Sequence, residues 1–142
     1  MEVIIPIEIV QLEDEHNLHP IVDAKLNGEP IRLVVDTGAS HTCIDRKNVK
    51  SLIKKNPEDV TNDVVMGIGS RSMKNTILTI KEISIGDLII NDYPVVALKI
   101  THINKALKLL GLHAINGLLG SDILFKYNAI IDYKNRCLTF NI

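Results

Sequence analysis

The triplet Asp36-Thr37-Gly38 is the part of this sequence best suited to chemistry. It follows the strand-like run Leu33-Val34-Val35 directly, and glycine ends it with a turn. A carboxylate at the tip of a buried strand lies where its surroundings can tune its ionisation. This placement suits the activation of water between two facing carboxylates, one acting as base and the other as acid. Because the triplet occurs once, the second carboxylate must come from elsewhere.

The same triplet also has a purely structural interpretation, in which Asp36 is a turn aspartate that accepts a hydrogen bond from its own backbone. Two other segments bear on the choice. Leu118-Leu119-Gly120 can be the end of a buried strand, and it lies late in the sequence, before a short helix and a final hairpin. Gly67-Ile68-Gly69 is either an ordinary hairpin turn or the tip of a mobile lid. A dinucleotide fingerprint is excluded, because Ser72 stands where the third glycine is required.

The elements that must position Asp36 are mostly short strands. Asn27-Gly28 and Gly86-Asp87 predict tight hairpins, and residues 3–10 predict a proline-tolerant terminal strand. Helical spacing predicts short helices at 45–55 and 104–112, and residues 123–127 can form a further helical turn. Short strands with frequent turns favour an all-β barrel or sandwich with small helices.

The composition predicts one globular domain spanning residues 1–142, with an aliphatic core. The chain is 46% hydrophobic but only 4% aromatic, and its net charge of −1 indicates neither nucleic acid nor an anionic membrane as partner. Cys43 and Cys137 are predicted to be reduced core residues, and the five histidines lack the spacing of metal ligands. We expect no metal or other cofactor.

The start of the sequence lacks secretory-signal features and no apolar run is long enough to span a bilayer, so a cytoplasmic protein is expected.

Taken together, these segments resemble the retropepsin-like aspartic proteases, the family of retroviral proteases and their cellular and bacterial relatives. The similarity covers roughly Ile21 to Phe140 and is nearest to the cellular and bacterial branch. It implies a single-domain, closed β-barrel with one to three short helices and a glycine-tipped flap hairpin. It implies catalytic roles for Asp36, Thr37 and Gly38. It also implies a substrate-binding surface made of Ala39, Ser40, Met66, Gly67, Ile68, Gly69, Leu118 and Leu119.

The resemblance further implies an endopeptidase that works as a homodimer, with two Asp36 carboxylates sharing one proton across a twofold axis. A peptide or protein would be the substrate, and the terminal segments 1–10 and 137–142 are candidates for the dimer interface. The alternatives are a catalytically silent module of the same fold that dimerises or binds peptides, and a plain structural β-domain.

Some residues depart from the retroviral pattern or lie outside it. Ser121 stands where a retroviral protease usually has arginine, which weakens the expectation of an ion pair there. Asp122 and Asp132 are not followed by Thr-Gly or Ser-Gly, so both are predicted to be capping or turn residues.

Overall fold

A computed structural model of the chain describes residues 1–11, 18–63 and 76–142. These residues form eleven strands: β1 Glu2–Pro6, β2 Glu8–Gln11, β3 Leu18–Leu26, β4 Glu29–Val35, β5 Cys43–Asp45, β6 Val60–Asp63, β7 Thr76–Ile85, β8 Leu88–Leu98, β9 Gly117–Leu119, β10 Ile130–Asp132 and β11 Cys137–Asn141. They also form three α-helices and one 3₁₀ turn: α1 Arg46–Lys55, α2 Thr101–Leu109, α3 Ser121–Lys126 and the turn Pro57–Asp59.

Six of the strands close into a barrel in the order β3-β4-β9-β5-β8-β7. The ring is completed where the end of β3 pairs antiparallel with β7, with Lys25 opposite Ser84 and Leu26 opposite Ile83. Outside the ring, β2 pairs with β3 and β6 pairs with β7. The closed barrel predicted from the sequence is therefore confirmed.

The hairpin between β3 and β4 also helps to close the barrel. Asn27 and Gly28 have φ angles of 48° and 82°, the two positive values that a type I′ turn requires. The Asn27 side chain accepts a hydrogen bond from the Glu82 N–H at 2.9 Å and donates one to the Asp59 carbonyl at 3.2 Å. One residue thus sets the turn and ties it to β7, where the ring is completed.

The main apolar core fills the barrel and continues beneath a second sheet, which has the order β1-β11-β10. Alternate residues of β1 and β11 face this core, so that Val3, Ile5, Leu138 and Phe140 are buried. Each fully buried side chain of this kind contributes about 1.5–3 kcal/mol relative to exposure. A smaller cluster lies under α2 and consists of Val10, Ile21, Ile100, Leu107 and Ile115.

Several predicted boundaries are wrong. Helix α2 ends at Leu109 and not at 112, and α3 spans Ser121–Lys126 and not 123–127. The stretch 3–10 is not one strand: it divides at Ile7, and its halves β1 and β2 belong to different sheets. Helix α2 begins three residues before the predicted start at Asn104, whose side-chain amide pairs with the N–H and carbonyl of Ile115. That tertiary contact is not visible in local helical spacing. Gly111, with φ of 71°, follows the end of the helix.

The predicted flap tip, Met66, Gly67, Ile68 and Gly69, lies outside the described residues. The strands on either side of that segment, β6 and β7, pair antiparallel from Val60 opposite Ile80 to Asp63 opposite Ile77. Within residues 1–11, 18–63 and 76–142, no helix has the length and apolarity needed to cross a membrane.

Replacing Gly117 by alanine tests the packing at the centre of the barrel, where β9 lies between β4 and β5. A Cβ atom at this position would come within 2.0 Å of the Cys43 carbonyl oxygen, which is backbone and cannot rotate away. We expect Gly117→Ala to lower the free energy of unfolding in urea by about 3 kcal/mol or more.

The matched control is Gly28→Ala, where φ is 82° but no heavy atom lies within 4 Å of an added Cβ. Backbone strain alone should then cost about 1–2 kcal/mol. If Gly117→Ala were as stable as this control, the tight crossing of β9 and β5 would be refuted.

Candidate active site

Asp36 lies one residue beyond β4, where that strand leaves the core. Leu33 and Val35 are buried and Asp36 itself is half-buried, whereas Thr37 and Gly38 are exposed. The parallel pairing of β4 with β9 continues one step past Val35, because the Asp36 N–H donates to the Leu119 carbonyl at 3.0 Å. The backbone of the acid is therefore fixed to a second strand before the turn begins.

The turn after Asp36 is closed by the aspartate itself. The Gly38 N–H donates to Asp36 Oδ1 at 2.9 Å, and the Ala39 N–H donates to the Asp36 carbonyl at 3.2 Å. The structural interpretation of the triplet, a turn aspartate bonded to its own backbone, is thus correct as far as it goes. Asp36 Oδ2, however, accepts no hydrogen bond from the described part of the chain, so one carboxylate oxygen is left for other chemistry.

Glycine and serine at the start of α3 hold the middle of the loop 36–42. Ala39 offers its carbonyl to both the N–H and the hydroxyl of Ser121, at 2.7 and 3.1 Å. A Cβ at Gly120 would lie 2.7 Å from the His41 carbonyl carbon and 2.8 Å from the Ala39 oxygen. Only glycine permits this approach of α3 to the loop. Ser121, which stands where a retroviral protease usually has arginine, therefore supports the loop through hydrogen bonds.

Asp122 is not the capping residue that the sequence predicts. The N-cap of α3 is Gly120, and no side chain in the described part of the protein caps the helix. Asp122 instead accepts hydrogen bonds from the Thr42 N–H at 3.1 Å, the Thr42 hydroxyl at 2.8 Å and the Tyr93 hydroxyl at 2.9 Å. The prediction for Asp132 is correct, because its carboxylate accepts from the N–H and side-chain amide of Asn135 in the closing turn.

Burial and the neighbouring carboxylates change the pKa values of two groups beside the loop, Cys43 and Tyr93. Burial raises the pKa of the Cys43 thiol above its ordinary value, and the carboxylates of Asp122 and Asp36 raise it further. The pKa of Tyr93 is also raised, first by burial and then by its hydrogen bond to Asp122. Cys43 and Cys137 are both free, and the Cys43 thiol donates to the His41 carbonyl at 3.1 Å.

The described members of the predicted substrate surface are not equivalent. Ser40 is exposed, and Ala39 and Leu118 are half-buried. The side chain of Leu119 is fully buried in the core, so what Leu119 offers to the site is its carbonyl oxygen. The predicted flap residues are not among those described.

The described residues contain no group of three His, Cys, Asp or Glu side chains placed to hold a metal ion.

Sequence reasoning missed Thr42 and Tyr93 and misassigned Asp122. One signal was present: Asp122 is the only charged residue in the otherwise apolar segment around Leu118 to Phe125. A charge in such a segment needs a partner when the segment folds into a core. The partners themselves could not be identified, because Thr42 lies 80 residues away in the sequence.

Comparison with solved structures finds the same fold in proteases of the retroviral type. A retropepsin-like aspartic protease from Rickettsia conorii matches with a TM-score of 0.58 and 19% identity, over 99% of this chain and 89% of the other. The retroviral protease-like domain of Ddi1 from Leishmania major matches with a TM-score of 0.56 and 19% identity, over 84% of this chain and 86% of that domain. A search of the curated proteins returns no significant match.

The sequence itself matches an aspartyl protease family over residues 22–123, a stretch that contains Asp36-Thr37-Gly38 and ends just after Asp122. That match begins within β3, takes in the other five strands of the ring and ends at the start of α3. With the barrel and the loop geometry described above, it places this chain in the aspartyl protease family, with the retropepsin-like fold.

Proposed function

We propose that residues 1–142 form one domain of an aspartic endopeptidase that is active as a homodimer. The observation that carries this proposal is the Asp36 carboxylate, fixed at the end of β4 with Oδ1 bound in its own turn and Oδ2 accepting no hydrogen bond from the described residues. Water activation by carboxylates requires two such groups. A second copy supplies the second group through twofold symmetry, which brings a residue on the axis next to itself.

In the proposed dimer, two Asp36 side chains about 3 Å apart cannot both ionise easily and share one proton. They titrate as a coupled pair, so that no separate pKa belongs to either copy. The ionised carboxylate removes a proton from the bound water, whose oxygen attacks the carbonyl carbon of the peptide bond. The protonated carboxylate gives its proton to the carbonyl oxygen, and no covalent enzyme intermediate forms.

The tetrahedral intermediate carries two hydroxyl groups. As it collapses, one hydroxyl returns its proton to the pair, the nitrogen takes a proton from the pair, and the carbon–nitrogen bond breaks. The products are an acid and an amine, and the pair again holds one proton. Gly38 suits this site, because a Cβ there would lie 3.3 Å from Asp36 Oδ1 and crowd the catalytic carboxylate. We assign Thr37 to hydrogen bonding between the two loops of the dimer.

The substrate would be a peptide or protein segment in extended conformation, bound through its main chain. Ala39, Ser40 and Leu118 would contact it from below, and a flap tipped by Met66, Gly67, Ile68 and Gly69 would close over it and exclude water. Leu119 would support this surface from the core.

Both cysteines are free, as is usual in reducing compartments, and we propose a cytoplasmic location.

The pairing of the terminal strands bears on which of the two terminal segments, 1–10 or 137–142, is the better candidate for the dimer interface. β11 pairs with β1 along its length and, from Cys137 to Thr139, also with β10, so most of its backbone is already paired within the chain. β1 pairs with β11 alone among the described strands. The segment 1–10 therefore remains the better candidate for the interface.

Asp36→Asn tests the catalytic assignment. The amide keeps the shape of the side chain but cannot act as a base, so we expect peptide cleavage to fall by at least about 1,000-fold with the fold and the dimer retained. Cleavage is measured by mass spectrometry of a peptide library across about pH 3–8, and dimerisation by analytical ultracentrifugation.

Asp132→Asn is the matched control, because it makes the same chemical change in an exposed turn. It should cleave like the parent protein. If Asp36→Asn cleaved as fast as the parent, Asp36 would not be the catalytic acid. A parent dimer that binds peptides and cuts none of them would identify the silent peptide-binding module instead.

Mixing the parent with Asp36→Asn chains tests the shared site. Heterodimers would hold one carboxylate and one amide, so a tenfold excess of the variant should suppress cleavage by at least about fivefold at equilibrium. The same excess of Asp132→Asn chains should raise cleavage, since those chains are themselves active. Unchanged cleavage in the first mixture would show that each chain carries a complete site.

A further inference from the structure

Asp122 is surrounded by hydrogen-bond donors that belong to two distant parts of the chain. Its Oδ1 accepts from the Thr42 hydroxyl, and its Oδ2 accepts from both the Thr42 N–H and the Tyr93 hydroxyl. Hydrogen bonds to an ionised acceptor are shorter and stronger than those between neutral groups. The carboxylate therefore joins the end of the loop 36–42 to α3 and, through Tyr93, to β8.

Thr42 is the residue through which this carboxylate reaches the loop. Its side chain is buried, with 1% of its surface exposed. While its hydroxyl donates to Asp122, the same oxygen accepts from the Gly120 N–H at 3.1 Å. Gly120 follows Leu119, whose carbonyl holds the Asp36 N–H. The loop is thus fixed at Asp36 by β9 and at Thr42 by Asp122.

We propose that Asp122 is a positioning residue, which fixes the loop bearing Asp36 by binding the N–H and hydroxyl of Thr42. The inference rests on the proposed function for its catalytic consequence, although the contacts themselves do not depend on it. Asp122 acts through Thr42 and does not touch the substrate.

The proposed mechanism makes such positioning important for a geometric reason. Misplacing a reacting group by about 1 Å can cost about 100-fold in rate. In a symmetric dimer, a loop that moves in one copy also moves in the other. A substitution that displaces the loop therefore displaces both Asp36 carboxylates. The distance between them changes, and with it the sharing of their proton.

The geometry also indicates which substitution should be tolerated. In Asp122→Asn, the amide oxygen at the Oδ2 position can accept from the Thr42 N–H and from Tyr93, as the carboxylate does. The amide nitrogen at the Oδ1 position can then donate to the Thr42 hydroxyl, whose oxygen has a second lone pair. In Asp122→Leu, the side chain keeps a similar size but accepts nothing, so Thr42 loses both bonds.

The test compares steady-state peptide cleavage by the full-length parent, Asp122→Leu and Asp122→Asn, well below their unfolding temperatures. We expect Asp122→Leu to lower kcat by about 10- to 100-fold with KM within about threefold, and Asp122→Asn to stay within about threefold of the parent. Asp132→Leu is the control, because it removes a carboxylate whose hydrogen bonds go to Asn135 and not to the loop, and it should leave kcat unchanged. Parent-like kcat in Asp122→Leu, or an equal loss in Asp122→Asn or Asp132→Leu, would overturn the proposal.

A second measurement separates this inference from the proposed activity. Native-state hydrogen exchange should show the Thr42 and Gly120 amides exchanging at least about tenfold faster in Asp122→Leu, with the β1–β11 amides unchanged. If the parent cleaved no peptide, the proposed function would fail, and this exchange would still decide whether Asp122 orders the loop. Unchanged exchange at Thr42 and Gly120 would refute the positioning role even in an active enzyme.

Discussion

The site depends on the parallel pairing of β4 with β9, two strands that lie far apart in the sequence. This pairing continues past the end of β4 as the hydrogen bond from the Asp36 N–H to the Leu119 carbonyl. A loop of exposed polar residues would ordinarily be mobile, because its backbone groups bind water as well as they bind one another. Here the strand beneath it fixes the backbone of the acid, and the side chain projects from a rigid support.

Close backbone contact makes that support possible, and glycine makes the contact possible. Gly117 lies against the Cys43 carbonyl and Gly120 against the backbone of Ala39 and His41, at separations that a side chain would not allow. The two glycines frame Leu118 and Leu119, one half-buried and one wholly buried. The short strand β9 can therefore support the loop through its backbone while the Leu119 side chain packs in the core.

Asp122 and Asp132 show how far local sequence can be trusted. Both are aspartates without a following Thr-Gly, and for both the local sequence predicts a cap or a turn. For Asp132 this is correct, because its partner Asn135 lies three residues away. For Asp122 it is wrong, because its partners Thr42 and Tyr93 lie 80 and 29 residues away. The difference lies in what the fold brings to each carboxylate.

The sequence by itself determined the local elements and the class of fold. Turn residues such as Asn27-Gly28 and Gly86-Asp87 are encoded over a few positions, so the hairpins that they form could be predicted. The triplet at Asp36 and the apolar-apolar-glycine segment likewise indicated the aspartyl protease family before the barrel was known. Only the tertiary structure decided how the barrel closes, what Asn104 of α2 binds, and which side chains hold the loop. These features depend on contacts between residues distant in the chain, and such contacts leave no periodic signal in the sequence.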